Sequence, residues 1–557
     1  MTRPHRETLR APAESIEGFL AAAEPAAPGS LGGLIERLEA SGRLRAVIAA
    51  GTEGERDARH KPEVDALEVR GVTFDSRHVP ASSVFVAVPG AHADGHDYVA
   101  GAAAQGAAAA IVERPVPGVA LPQILVDDAR RALASAAAWW YGDPSHHLGV
   151  VGITGTDGKT TTAFLALAAL EACGISTGLI STAAAKVGSV RTANAEHVTT
   201  PEAPALQRML RAMVRAGNEA AIVETTSHGL ALHRVDEIAY DVAIFTNLTH
   251  EHLELHGTFE AYRDAKLGLF RRLGEDAGVK GLARAWPRVA IVNADDPAAG
   301  LFAEAARRGG ARVVTYGTAA PAEVRATGVR EGPRSLGLEV ATPHWAGPVE
   351  LRLVGRFNAH NALAAIALGE ALELDPDLIR GGLAGVAGVP GRMERVDCGQ
   401  PFGVVVDYAH SPASLQKVLD VLAPIASAGG GALIAVFGSA GERDVAKRPM
   451  MGRIAGDRCR LVVVTDEDPR GEDSGKILRE IAAGAEAAGR RIGRDLLCIV
   501  DRRAAIEAAF ERAAPGDVVL LAGKGHEQAI IRDDGPLRWD ERAEAVRALG
   551  RLGYQVE

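Results

Sequence analysis

The stretch that most constrains this chain is 148–172, where an apolar run, a glycine-rich turn and a helix-forming segment follow without a gap. Leu148-Gly-Val-Val-Gly-Ile-Thr154 is short, continuous and rich in Val and Ile, the pattern of a parallel strand covered on both faces. It runs straight into Gly155-Thr156-Asp157-Gly158-Lys159-Thr160, and Thr161–Ala172 reads as a helix. Strand, Gly-x-x-Gly-Lys-Thr turn and helix in this order make a phosphate cradle. The glycines let backbone N–H groups turn toward an anion, and the helix N-terminus adds positive potential. Lys159 can reach the β- and γ-phosphates of a nucleotide, and the Thr160 hydroxyl can ligate Mg²⁺. Position 153 is Ile where the strict GxxxxGK[ST] pattern has Gly. The loop implies a nucleotide without saying which reaction it supports.

The rest of the chain alternates in the same way. Val69-Arg-Gly-Val-Thr-Phe74, Ser83–Val88 and Ala109–Val112 read as strands, with helices at Leu31–Leu38 and Tyr98–Ala110 and a polar loop at Gly51–Val64. A small α/β unit to about residue 147 follows. Ala220–Glu224, Val242–Thr246 and Val289–Asn293 continue the parallel pattern beyond the glycine loop. From near Gly388 a further open α/β sheet is expected from Gly403–Asp407, Ala432–Phe437, Leu461–Thr465 and Asp517–Ala522. Residues 1–30, rich in Ala and Pro, read as a poorly ordered extension with a short helix around Glu14–Ala23.

Length and charge narrow the classes. The 557 residues exceed the roughly 250–300 at which single cores stop growing, so several domains are required. A net charge of −10 offers no basic footprint for nucleic acid. Cys173, Cys398, Cys459 and Cys498 are scattered and form no CxxC pair, which suits free thiols in a reduced compartment. No stretch approaches about 20 uninterrupted apolar residues, and no apolar signal core follows the charged segment Met1–Arg6. A cytoplasmic protein with no membrane and no nucleic-acid partner is expected.

Further motifs appear in one order along the chain: Gly71–Arg77, Gly90–Gly95, Thr154–Thr162, Thr199–Glu202, Glu224–Arg234, Thr246–His256, Tyr262–Lys266, Asn293–Asp296, Gly355–Asn361, Gly391–Glu394 and Asp407–His410. In that order they resemble the ATP-dependent Mur ligases of peptidoglycan synthesis, and among these the tripeptide-synthetase (MurE) type. The resemblance runs from about Leu31 to the C-terminus. It implies an α/β protein of three domains. Residues 31–147 would bind the UDP-MurNAc moiety, 148–388 would be a P-loop ATPase-like parallel sheet, and 389–557 a Rossmann-like domain that selects an amino acid.

The resemblance also implies roles. Phe74, Ser76, Ala91, His92 and Ala93 would lie near the uridine nucleotide. Gly155, Thr156, Asp157, Gly158, Lys159, Thr160 and Thr161 would hold ATP, with Asn293, Asn358, Asn361, Arg392 and Asp407 completing its site. Thr199, Thr200, Thr226, Ser227, His228 and Arg234 would line the muramoyl-peptide site. Lys159, Glu224, His252 and Lys266 are the implied catalytic set. Two Mg²⁺ sites are expected from Thr160, Glu224, His252 and a carbamylated Lys266, since a carbamate turns a cation into an anion that suits a hard metal. Without the resemblance, Lys266 reads as a helix-surface lysine. Asp157 replaces the usual Asn, Leu232 a Gln of some members, and Glu251 and Glu254 two Asp residues.

In the last domain Gly438–Asp444, Thr465–Arg470 and Gly523–Glu527 resemble GCGGDRD, the region of DDNPR, and GKGHE. Arg443 and Arg470 would meet a substrate carboxylate, where a planar fork allows bidentate contact. Glu467, Asp468, Pro469, Gly523 and Glu527 would complete the amino-acid site. The retained arginines favour meso-diaminopimelate. Asp468, in place of Asn, could instead meet the terminal ammonium of lysine or ornithine, pair with Arg470, or face solvent. The implied reaction adds a diamino acid to the D-Glu of UDP-MurNAc-L-Ala-D-Glu through an acyl phosphate. Its partners are UDP-MurNAc-dipeptide, ATP and the diamino acid, and a monomer is expected. Rival readings are the same reaction with L-lysine or L-ornithine, a folylpolyglutamate- or cyanophycin-type ligase, and a non-catalytic nucleotide-binding homologue.

Overall fold

Three sheets, each built around parallel strands, carry the chain. The structure, a computed structural model, describes residues 15–50, 62–90, 93–194, 198–249, 253–274, 280–332 and 334–555. The first sheet has five strands in the order Leu44–Ile48, Gln123–Val126, Ala109–Val112, Ser83–Val86 and Gly71–Thr73. All its pairings are parallel except that of Leu44–Ile48. The helix expected at Tyr98–Ala110 is shorter, Val99–Ala104. Pro62–Asp65, expected as loop, is a helical turn that buries Val64.

The second sheet has eleven strands. Its parallel centre runs Thr177–Ile180, Ala220–Glu224, Gly149–Thr154, Val242–Phe245, Val289–Asn293, Arg312–Gly317 and Val324–Glu331. The strands at its middle are buried along their whole length, as expected of a sheet covered on both faces. Helices Lys159–Ala172 and Asn358–Ala371 cover one face, where Ala163, Leu165 and Leu170 meet Leu363, Ile366 and Leu368. Antiparallel strands extend it at both ends, through Ala184–Val187 and Val190–Ala193 on one side and Leu336–Ala341 and Ala346–Leu351 on the other. These extensions had no clear sequence signature, because their alternation is interrupted by Gly and charged residues.

The third sheet has six strands, Glu394–Val396, Gly403–Asp407, Val518–Ala522, Leu433–Phe437, Leu461–Val464 and Leu496–Cys498. Only the first pairing is antiparallel.

The short helix expected around Glu14–Ala23 is present, but residues 15–30 are packed rather than a poorly ordered extension, and 1–14 lie outside the described residues. Ile16–Ala23 is a helix capped by Ser15. Phe19, Leu20 and Ala23 fall on one face and pack with Leu206, Leu210 and Met213 of helix Ala203–Arg215. Arg208 donates to the Leu20 carbonyl and pairs with Glu24 at 2.7 Å. The segment therefore has a docking face that composition concealed. Nearby, Arg37 bridges Asp143 at 2.8 Å and Glu237 at 2.9 Å, tying the first sheet's helices to the second.

Candidate active site

Strand Gly149–Thr154 ends at the glycine loop, and two glycines there are required by geometry. Gly155 has φ +148° and a Cβ on it would strike the Thr246 hydroxyl. Gly158, with φ +84°, caps helix Lys159–Ala172, and a Cβ there would strike the Asn361 carboxamide. Lys159 curls over the loop and donates to the carbonyls of Gly155 at 3.0 Å and Thr156 at 2.8 Å. Thr160 and Thr161 are buried in the first helical turn.

Glu224 stands at the end of the neighbouring strand, beside Ile153 in register. It is fully buried. Its carboxylate accepts from the Thr160 hydroxyl at 3.2 Å and from the Thr182 hydroxyl at 3.0 Å, and Thr182 in turn meets Thr199 at 2.9 Å. Burial pushes its pKa up, and Lys159 and Arg392 pull it back. Thr200 extends the line: its hydroxyl donates to the Glu224 carbonyl and meets Thr226, and its carbonyl accepts from Arg234 at 2.9 Å. Arg234 also pairs with Glu202 at 2.6 Å. Thr226 caps the short helix Ser227–Ala231, which buries Ser227 and carries His228 to within 5.7 Å of His256, ring to ring. Thr182 was not foreseen. It is recognisable only because strand Thr177–Ile180 delivers it beside Glu224.

Lys266 is not the surface residue that helical spacing alone suggests. It is 1% exposed and donates to the Gly155 carbonyl at 2.7 Å, with its ammonium 4.5 Å from the centre of the Tyr262 ring. Tyr262, one turn earlier on the same helix, meets the Thr156 hydroxyl at 2.9 Å. That hydroxyl also accepts from the Thr249 amide at 2.9 Å, so one side chain joins the loop, the segment before His250 and the lysine's helix. The positions of Glu251 and His252 lie outside the described residues.

The expected adenine-side asparagines are buried and linked. Asn361 donates to Asn358 at 2.9 Å, Asn358 donates to the Val354 carbonyl, and Asn293 donates to the Thr246 carbonyl at 2.7 Å. Ala93 accepts from the Gly90 amide at 2.9 Å, Phe74 is exposed, and the Ser76 carbonyl accepts from Gln105. Ala91 and His92 lie outside the described residues.

The third sheet reaches this loop. Arg392 approaches the Thr160 hydroxyl at 3.5 Å and lies over the Tyr408 ring at 4.9 Å. Asp407 accepts from the Met393 and Ala409 amides, both at 2.8 Å, and burial raises its pKa. Asp157 pairs with Lys417 rather than with the cradle. In the amino-acid region, Lys524 is fully buried and pairs with Asp468 at 2.7 Å and Glu527 at 2.6 Å. Asp468 thus meets Lys524, neither facing solvent nor pairing with Arg470. Glu467 and Pro469 are buried, Arg443 is exposed, and Gly523, with φ +102°, leaves room that a Cβ would take from Glu467.

Among the described residues no group of three or more His, Cys, Asp or Glu forms a metal cluster. Thr160 and Glu224 offer hard oxygen donors beside the loop, which fits Mg²⁺.

Three family models match in series: the Mur ligase family catalytic domain over residues 68–141, the Mur ligase middle domain over 153–369, and the Mur ligase glutamate ligase domain over 391–525. A UDP-N-acetylmuramyl-tripeptide synthetase of Roseiflexus sp. (strain RS-1) is 49% identical over 501 residues, covering 89% of this chain and 97% of the relative. The chain belongs to the Mur ligase family. It is an ATP-dependent ligase of that family, with the family's three-domain α/β architecture. A second Mur ligase relative, the UDP-N-acetylmuramoyl-L-alanyl-D-glutamate–2,6-diaminopimelate ligase of Geobacter metallireducens, is 42% identical, covering 87% of this chain and 95% of its own. A solved structure of a ligase of that name matches with a TM-score of 0.61 at 28% identity, covering 90% of this chain and 98% of that one. The Mur ligase fold is shared by MurF of Thermotoga maritima, solved with ADP, with a TM-score of 0.55 at 19% identity over 87% of this chain and 97% of that one.

Proposed function

We propose that the protein joins meso-diaminopimelate to the D-Glu γ-carboxylate of UDP-MurNAc-L-Ala-D-Glu at the cost of ATP, in the cytoplasm, as a monomer. The division at residues 147/148 and 388/389 is part of this reading. One observation carries it: Glu224 joins the phosphate loop, through Thr160, to the expected peptide side, through Thr182 and Thr199. A nucleotide phosphate and a substrate carboxylate brought to the two ends of that line would be adjacent.

The residues divide the work by position. The loop amides and Lys159 bind and orient the triphosphate. Arg392, reaching Thr160 from the third domain, adds positive charge where the transferring phosphoryl group gains negative charge. Arg234 and Thr200 orient the peptide, and domain approach excludes water from the acyl phosphate. The D-Glu carboxylate oxygen attacks the γ-phosphorus and ADP leaves; the diamino acid's neutral amine then attacks the acyl carbon, its proton passes to solvent, and phosphate departs with that oxygen. Thr160 and Glu224 would hold one Mg²⁺, and His252 with a carbamate on Lys266 a second. When bound, the ions neutralise phosphate charge.

The pairing of Asp468 with Lys524 favours diaminopimelate over lysine or ornithine, because the added acid already has a cation. Labelling the D-Glu carboxylate with ¹⁸O tests the mechanism. The released phosphate should carry one ¹⁸O per turnover. Unlabelled phosphate would rule out the acyl phosphate.

A further inference from the structure

Two arginines in the third domain lie side by side, and among the described residues neither is held in an ion pair. Arg470, held at φ +56°, donates its amide to the Ile531 carbonyl and forms a parallel bridge with Arg532. Arg532 ends the first strand of the hairpin Ala529–Arg532 and Gly535–Arg538. The Nε atoms of both arginines are buried and have no hydrogen-bond partner, and among the described residues neither side chain forms an ion pair. Like charges at adjacent strand positions oppose each other, and a buried donor without a partner is costly.

The neighbouring acids relieve this only in part, Asp466 by attraction to Arg532 without an ion pair. Asp468 accepts from Lys524 at 2.7 Å and from the Ile531 amide at 2.9 Å, so it is turned to the lysine and the hairpin backbone. Glu527 also pairs with Lys524. Glu467 Oε2 and Asp466 Oδ1 are buried without a hydrogen-bond partner, one of them lying where a Cβ on Gly523 would meet it at 3.3 Å. The region therefore presents unsatisfied guanidinium donors and unsatisfied carboxylate oxygens together. A ligand group bearing both an anion and a cation answers both needs. The distal end of meso-diaminopimelate is such a group, whereas the distal end of lysine or ornithine is a cation alone.

Resting on the ligase reading above, we infer that Arg532 is a specificity-determining residue that binds the distal carboxylate of the incoming diamino acid together with Arg470. The hairpin brings a second planar fork to that carboxylate, and two forks hold it against both translation and rotation. Arg532 does so from outside the segments that otherwise mark the amino-acid site, which is why no motif signals it.

The test is steady-state phosphate release with UDP-MurNAc-dipeptide and ATP saturating and the amino acid varied. Arg532→Gln should raise the KM for meso-diaminopimelate by about tenfold or more, through loss of a charge-assisted bond to a desolvated carboxylate. The KM values for ATP and for the dipeptide substrate should stay within about twofold, and the preference for meso-diaminopimelate over lysine should fall by a similar factor. Arg532→Lys, which keeps the charge and loses the fork, should fall between; it carries the test if the Gln variant does not fold. An unchanged KM for meso-diaminopimelate, or an equal loss toward both amino acids, overturns the assignment. Absence of phosphate release by the unsubstituted protein with either amino acid overturns the ligase reading itself, and the assignment with it.

Discussion

Lys417 Nζ lies 2.6 Å from Oδ2 of Asp157, joining helix Pro412–Ala428 of the third domain to the phosphate loop of the second. The Asp157 amide meanwhile donates to Asn247, which fixes the backbone of the loop while the carboxylate points to the lysine. An acid beside a triphosphate is thereby directed out of the cradle. Both side chains are about half exposed, at 57% and 50%, so the pair contributes only about 0–1 kcal/mol. Its use is positional, favouring the approach of the two domains. Lys417→Met should lower kcat by roughly two- to fivefold, and added salt should weaken the unsubstituted protein's advantage. Steady-state rates at low and high ionic strength would check this; equal salt dependence in both proteins would count against it.

The buried Glu224 leads to a pH prediction. Its carboxyl is pushed up by burial, so near and above the ordinary carboxylate range the native state holds more protons than the unfolded chain. Stability contributed by this group is therefore present at low pH and lost as pH rises through the raised value. Glu224→Gln removes that loss. Without nucleotide the variant should be more stable than its parent at neutral pH, by about 1–3 kcal/mol, with the difference shrinking toward pH 4. Catalysis should nonetheless be abolished. Thermal melts across pH test the sign, and a difference that grew on acidification would contradict it.

Lys266 is enclosed between the Gly155 carbonyl and the Tyr262 ring, so its removal should disturb the site without exposing the core. Lys266→Ala should reduce kcat by about 10²-fold or more, the scale seen when one electrostatic group is taken from an active site. If a carbamate is its working form, short carboxylic acids added to the assay should restore part of the rate. Activity within twofold of the parent would remove the residue from the mechanism.

Lys159→Ala should abolish phosphate release, because its ammonium holds the loop carbonyls and offsets the charge of the buried Glu224. Turnover near the parent's would exclude the loop from phosphoryl transfer.

Much of this arrangement was legible in order along the chain. The parallel strands at the centre of the second sheet are unbroken Val- and Ile-rich runs, and both faces of each are buried. Other parts depended on distant contacts. Helix Ile16–Ala23 has only a few apolar residues amid Ala and Glu, and its order comes from the face of Ala203–Arg215 that it covers. Lys266 reads as a surface cation because local spacing says nothing of what packs above it, and it is buried. Thr182 and Arg532 belong to no motif. Their partners come from other strands, so only the sheet register and the hairpin bring them to the site.

The most direct measurement of the central claim is phosphate release from ATP by the purified protein, with UDP-MurNAc-L-Ala-D-Glu and, in parallel, meso-diaminopimelate, lysine or ornithine. Release should require ATP, the dipeptide substrate and an amino acid together, and should be fastest with meso-diaminopimelate. Release that proceeds without the dipeptide substrate, or none with any of the three amino acids, would contradict the account.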